Sequence, residues 1–356
     1  MPDLFDPIRV GALDLPNRIF MSPLTRSRAS PDKRVPGDLA RDYYMQRASA
    51  GLIISEATSV DPMGVGYAGT PGIWSSEQVN GWRRVTDAVH GAGGRMFLQL
   101  WHVGRISDPS FLDGKAPLAP SAIAARGNVS LLRPERPFPV PRALTTKEIK
   151  DVVAQFRRGA ENAQQAGFDG VEIHGANGYL LDQFLQDGSN KREDEYGGPI
   201  DNRARLLLEV ADAAISVWGA DRVGMHLAPR ADAHDMGDSD RAGTFGYVAR
   251  ELGKRKLAFI LAREFIAEDS LGPKLKEAFG GVYVINEKLD LASAQEALRT
   301  HRADACSFGV KFIANPDLPH RFALNAPLNP LDKTTLYSGG AAGYTDYPAL
   351  TESETA

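Results

Sequence analysis

Eight short apolar runs alternate with amphipathic stretches along this 356-residue chain. The runs fall at 18–23, 52–57, 96–102, from 170 onward, and at 223–229, 257–261, 281–286 and 303–309. Helical patterning occupies 39–50, 76–90, 145–166, 201–218, 245–254, 273–279, 291–300 and 317–324. A run such as Leu52-Ile53-Ile54 has no polar face, which suits a strand covered on both sides. A strand that returns parallel to its predecessor needs a crossover, and a helix is the usual one. Eight such units predict an α/β fold of one kind, a closed (β/α)8 barrel, also called a TIM barrel. No G-x-G-x-x-G follows the first strand, so a doubly wound dinucleotide-binding sheet is the weaker reading.

The whole of 1–356 is therefore expected to form one domain. Residues 7–17 read as an N-terminal β-hairpin turning near Gly11, placed to plug one end of the barrel. Ser76 reads as the cap of the second helix, and Thr145-Thr146-Lys147-Glu148 as a capping box. Between the third strand and the third helix the rhythm breaks. Residues 108–143 carry Pro109, Pro117, Pro120, Pro134, Pro137, Pro139 and Pro141. A long irregular insertion in a compact domain is usually functional. We read it as a capping segment over the site, with a short hairpin.

Charge and cysteine content narrow the function. A net charge of -4 and a pI near 6.0 give no basic footprint for nucleic acid. Cys306 is the single cysteine, so no intramolecular disulfide and no Cys-rich zinc or iron–sulfur site can form. No apolar run approaches the roughly 18 residues of a membrane span. Residues 1–6 lack the basic and apolar regions of a leader. The expectation is a cytoplasmic enzyme, monomeric or homodimeric, acting on small molecules.

Barrel enzymes carry their chemistry at the carboxyl ends of the strands. The densest such end here is Gly170-Val171-Glu172-Ile173-His174-Gly175-Ala176-Asn177-Gly178-Tyr179. Val171 and Ile173 favour a strand, and the glycines allow tight turns and close approach to a ligand. His174, Asn177 and Tyr179 then offer an imidazole, an amide and a phenol. That set suits polarising a carbonyl and delivering a proton beside it. The other strand ends add Pro23, Leu24 and Thr25, then Ala57, Gln99, Trp101 and His102, and then His226, Asn286 and Gly309. Carboxylates are scarce among them. Metal-dependent hydrolysis and magnesium-assisted phosphoryl transfer need them, so a planar, hydrogen-bonding cofactor fits better.

These residues also carry a resemblance. The chain resembles the old yellow enzyme family of FMN-dependent ene-reductases over essentially its full length. The matching motifs are Asn17-Arg18-Ile19-Phe20-Met21-Ser22-Pro23-Leu24-Thr25-Arg26, Gly72-Ile73-Trp74-Ser75, and Gln99-Leu100-Trp101-His102-Val103-Gly104-Arg105. His174-Gly175-Ala176-Asn177-Gly178-Tyr179-Leu180 and Phe312-Ile313-Ala314-Asn315-Pro316-Asp317-Leu318 follow in the family's order. The resemblance implies FMN as cofactor, NAD(P)H as reductant, and hydride transfer to the β-carbon of an activated alkene: an enone, enal, maleimide or nitroalkene. It implies that His174 and Asn177 bind the substrate's oxygen and that Tyr179 protonates the α-carbon. Thr25 would meet flavin O4, and Gln99 the pyrimidine edge. Pro23, Leu24, Ala57, Asn286, Phe308 and Gly309 would line the flavin. Trp101, Tyr67, Phe245 and Tyr344 would shape the substrate pocket.

The pattern also departs from the family. Many members carry arginine on strand five where this chain has His226, and Gly-Arg after strand eight where it has Gly309-Val310. The strand-seven end, often Asn-Gly-Gly, is Asn286-Glu287-Lys288. His226, with help from Arg230, would then serve the pyrimidine edge, and Lys288 or Lys311 would meet the phosphate. His226 is equally readable as a barrel-layer residue, and Cys306 as an inert buried thiol. Two competing readings stay open. One is a metal-dependent hydrolase or lyase built on His102, His174 and His226, and the other a flavin-binding protein without turnover.

Overall fold

The eight runs become eight parallel strands that close on themselves in a computed structural model describing residues 2–230 and 233–351. The barrel strands are β1 (Ile19–Met21), β2 (Leu52–Ile54), β3 (Met96–Trp101) and β4 (Gly170–Gly175). They continue as β5 (Val223–Leu227), β6 (Phe259–Arg263), β7 (Val282–Asn286) and β8 (Ala305–Phe308). Each pairs with the next in sequence, and β8 pairs back to β1. The expected (β/α)8 barrel is the observed one.

Ten helices accompany the strands among the described residues: α1 (Asp38–Met45), α2 (Ser76–Gly91), α3 (Thr146–Gln165), α4 (Leu180–Leu185) and α5 (Ile200–Trp218). After them come α6 (Arg241–Lys254), α7 (Gly272–Phe279), α8 (Leu291–Arg299), α9 (Val310–Ala314) and α10 (Leu318–Ala323). Two helix starts move from their expected places for the same reason. The cap of α2 is Ser75, because its hydroxyl accepts from Gln78 N–H and the Gln78 side chain returns to the Ser75 backbone. Asp240 caps α6 through Gly243 N–H, so that helix begins four residues earlier than its apolar pattern suggests. The capping box of Thr145 and Glu148 forms as expected.

Alternation along each strand sorts side chains into two cores. Val171, Ile173, Met225 and Leu227 point outward and pack under the helices with Trp82, Phe156 and Leu207. Phe20, Ile54, Phe97, Phe259, Leu261 and Val284 point inward and fill the lower barrel. The hairpin, Ile8–Val10 paired with Leu13–Leu15, closes that lower end with Ile8, Val10, Leu13 and Leu15. Its turn needs glycine: Gly11 has φ +55, and a Cβ there would sit 2.0 Å from Asp221 O.

Because the lower barrel is filled, only the carboxyl ends of the strands are open. Residues 108–143 gather beside that opening. Their base is a pair of two-residue strands, Leu118–Ala119 and Arg142–Ala143, which run parallel. The expected hairpin is reduced to a single antiparallel bridge between Asn128 and Pro137. Ala125, Val129 and Phe138 turn inward and pack with Tyr67, Trp101 and Val103.

Candidate active site

Two adjoining cavities, of about 190 and 530 Å3, open across the barrel mouth. The smaller is lined by Thr25, Ala57, Gln99, Trp101, His174 and Tyr179, together with Ile313 and Leu336. The larger is lined by Arg263, Asn286, Glu287, Lys288, Phe308, Gly309 and Lys311. Pro23, Leu24, Asn177, His226, Val310 and Tyr337 belong to both, so the two form one trough.

The turn after β4 presents the three central side chains. Asn177 and Gly178 take left-handed backbone, at φ 58 and 77. A Cβ at Gly178 would meet Ala233 O at 2.7 Å, so glycine is required there for space as well as angle. Asp182 accepts from Gly178 N–H at 2.8 Å, and Gln183 donates to Gly178 O at 2.7 Å. The turn therefore ends abruptly, and Tyr179 becomes the residue before α4. Its ring stands edge-on to His174 at 5.0 Å and to Trp101 at 4.9 Å. Its hydroxyl lies 3.0 Å from that of Tyr67. Burial, partly offset by the Tyr67 hydrogen bond, pushes the Tyr179 phenol up to about 12.

One layer down, register places Gln99 beside Glu172 and His226 beside His174. The Gln99 amide donates to Glu172 Oε2 at 2.6 Å and reaches His226 Nδ1 at 3.2 Å. With Nδ1 accepting, the His226 proton is on Nε2, a buried atom with no partner among the described residues. Burial, and then Arg263, push His226 down to about 3, so it is a neutral donor and not a cation. His174 is also held well below its ordinary value, by burial first and then by His226, His234 and Arg263. Its Nδ1 likewise has no partner among the described residues.

Glu172 is wholly buried, and burial raises its carboxyl to about 8 against the offsetting Gln99 bond. In the unfolded chain the same carboxyl ionises near the ordinary glutamate value of 4.5. The folded state thus holds a proton that the unfolded state releases, and stability falls as pH rises between those two values. Glu172→Gln mimics the protonated form. It should remove a slope on the order of a few kcal/mol between pH 5 and 8. Urea unfolding of both proteins across that range checks this, and parallel stability curves would refute it.

The far end of the trough is cationic. Lys311 donates to Leu289 O at 2.8 Å, and Lys288 rests over the Phe265 ring at 4.8 Å. Asn286 braces the strand ends, donating to Ser22 Oγ at 2.7 Å and Ser307 O at 2.8 Å. Glu287 and Lys288 have φ of 109 and 55, the left-handed region that suits the glycines often found at this strand end.

Some expected residues lie elsewhere. Phe245 lines neither cavity. It sits inside α6 and is buried in the outer core, because the early cap at Asp240 draws residue 245 into the helix body. Tyr344 is also behind the wall, stacked on Tyr43 at 4.2 Å with the Arg26 guanidinium over its ring. Leu336 and Tyr337 of the same C-terminal segment reach the trough instead. Arg26 and Arg28 clamp that segment through the carbonyls of Leu336, Ser338, Gly340 and Gly343. Arg230 lines neither cavity, because it pairs with Asp269 and Glu264 beneath Phe265. His102 is held by Gly104 N–H on Nδ1. Among the described residues, no group of three His, Cys, Asp or Glu side chains is placed to hold a metal ion. No described helix is long and apolar enough to cross a membrane.

Fold and trough together define a (β/α)8 barrel with an elongated, hydrogen-bonding channel at its strand ends. Residues 3–329 match the NADH:flavin oxidoreductase / NADH oxidase family, and the chain belongs to it. The resemblance to old yellow enzymes is thereby borne out. 12-Oxophytodienoate reductase 1 of Oryza sativa subsp. japonica is 41% identical over 98% of this chain and 93% of its own length. A probable flavin mononucleotide-dependent alkene reductase of Leishmania infantum is 43% identical, covering 98% of this chain and 97% of its own. Morphinone reductase in complex with tetrahydroNAD superposes with a TM-score of 0.95 at 47% identity, covering 99% of both chains. An old yellow enzyme homologue from Zymomonas mobilis gives 0.95 at 44% identity, over 98% of this chain and 100% of that one.

The protein is an FMN-dependent NAD(P)H oxidoreductase, and its trough fits that cofactor. Gln99 and the unpartnered Nε2–H of His226 provide a polar edge of the kind an imide ring edge binds. Lys288 and Lys311 provide positive charge at the other end, where Val310 and Glu287 contribute none.

Proposed function

We propose that the protein is an ene-reductase acting on small alkenes conjugated to a carbonyl or nitro group. The observation carrying this reading is the convergence of His174, Asn177 and Tyr179 on one cavity. When bound, FMN supplies the hydride chemistry, accepting from NAD(P)H and passing hydride to the alkene's β-carbon.

The chain's own residues do the rest. His174 and Asn177 hold the substrate oxygen. Both are neutral donors, which suits a charge that appears only as hydride arrives. Tyr179 holds the proton destined for the α-carbon, and its raised pKa keeps that proton in place across the physiological range. The Tyr67 hydroxyl, 3.0 Å away, can donate to the oxygen that Tyr179 leaves behind. Trp101, stacked on Tyr67 at 5.6 Å and clustered with Ala125, Val129 and Phe138, forms an apolar wall of the smaller cavity. Gln99, Thr25 and the Nε2–H of His226 would bind the pyrimidine part of FMN. Lys288 and Lys311 would bind its phosphate.

The purified protein is expected to be yellow, with flavin absorption that NAD(P)H bleaches anaerobically and that cyclohexenone then restores. Colourless protein that takes up no added FMN would overturn the reading. Flavin that is bleached but never reoxidised by any enone would reduce it to flavin binding without turnover.

A further inference from the structure

Arg263 is the last residue of β6, and it faces the trough above Leu261. Its guanidinium joins two strand ends. Nη1 donates to Asn177 Oδ1 at 2.9 Å, and Nε donates to Glu287 Oε2 at 3.1 Å. Glu287 sits at φ 109, unusual for a residue with a side chain, and from there its carboxylate holds the guanidinium.

The contact with Asn177 has a direction. A carboxamide carries one acceptor oxygen and one donor nitrogen, and a half-turn about its last bond exchanges them. Arginine has only donors, so it can bond the oxygen and never the nitrogen. With Oδ1 held, Nδ2 is the free end, and it has no partner among the described residues. Asn177 lines both cavities and Arg263 only the larger, so the amide edge that Arg263 does not hold is the one left for the cavity of His174 and Tyr179, where the substrate oxygen would bind.

We propose that Arg263, steered by Glu287, is a positioning residue that locks the Asn177 amide with its nitrogen toward the cavity, making Asn177 an obligate donor to the substrate's oxygen. This rests on the reading of His174 and Asn177 as the oxygen-binding pair. Without the lock, the amide spends part of its time with Oδ1 facing an oxygen ligand, which it repels.

A double-mutant cycle on the FMN-loaded protein tests this. 4-Hydroxybenzaldehyde is titrated against the long-wavelength absorbance that a phenol over flavin produces. Arg263→Met is expected to weaken binding about tenfold, the scale of one directed hydrogen bond. Arg263→Lys, which still donates to Oδ1, should recover part of that loss. In an Asn177→Ala background, Arg263→Met should cost nothing further, because two residues acting through one contact are not additive. If Arg263→Met does not load with FMN, Glu287→Gln stands in for it. A loss of about threefold is then expected, again only while Asn177 is present.

Equal losses in both backgrounds would mean that Arg263 acts directly on the ligand, and the proposal falls. No loss from Arg263→Met, with Asn177→Ala still weakening binding, overturns the proposal and leaves the oxygen-binding pair standing. No loss from Asn177→Ala removes both.

Discussion

Tyr179→Phe should slow reoxidation of the reduced enzyme by an enone about a hundredfold or more, the usual share of a general acid. It should leave flavin reduction by NAD(P)H unchanged. The ring packs edge-on against His174 and Trp101, and phenylalanine keeps both contacts, so only the hydroxyl is lost. That hydroxyl bonds Tyr67 and nothing else among the described residues, so its removal leaves the turn after β4 intact. The loss should not vary between pH 6 and 9. Burial pushes the phenol up to about 12 and holds His174 well below its ordinary value, so neither changes charge in that range. Anaerobic stopped-flow of the two half-reactions separates them. Equal losses in both, or an oxidative rate that the substitution does not change, would remove Tyr179 from the role of proton donor. Partial activity at low pH would point to solvent as the substitute acid.

The barrel was readable because strand-helix alternation is a property of the whole chain, and local errors do not break it. The central turn was readable for a different reason. His174, Asn177, Gly178 and Tyr179 are adjacent in sequence, and their backbone demands are visible there as glycine. Residues that reach the site by tertiary packing left no such trace. Arg263 was missed because the apolar run at 257–261 ends two residues before β6 does, so the residue at the mouth read as loop. A strand ends where its ladder partners end, and Asn286 opposite Arg263 could have supplied that register. Phe245 went astray through a cap: Asp240 starts α6 early and turns the aromatic into the core. Tyr344 and Tyr337 are seven residues apart on an irregular segment with no periodicity. Which of them faces the trough depends on the clamp from Arg26 and Arg28. The charge state of His226 was likewise beyond sequence, because it follows from burial and from Gln99 on Nδ1.

The largest effect is expected from removing both side chains proposed to hold the substrate oxygen. His174→Ala with Asn177→Ala should weaken phenol binding about a hundredfold, from the loss of two directed donors. It should slow alkene reduction further, by about a thousandfold or more, because these donors matter most once the oxygen carries developing negative charge. The two effects differ because a bound phenol samples a ground-state complex, whereas hydride transfer samples the charge at its peak. Each single substitution should already show the asymmetry, with a larger loss in the rate of alkene reduction than in phenol affinity. His174→Ala should cost more than Asn177→Ala. His174 is anchored on β4 and nearly enclosed, whereas Asn177 is only partly buried and bonded by Arg263. Binding titrations and single-turnover reoxidation, run on the same FMN-loaded samples, give both numbers. Phenol affinity equal to that of the unaltered protein would show that these side chains do not grip the ligand's oxygen. A rate loss no larger than the affinity loss would show that they bind the ground state and the transition state alike.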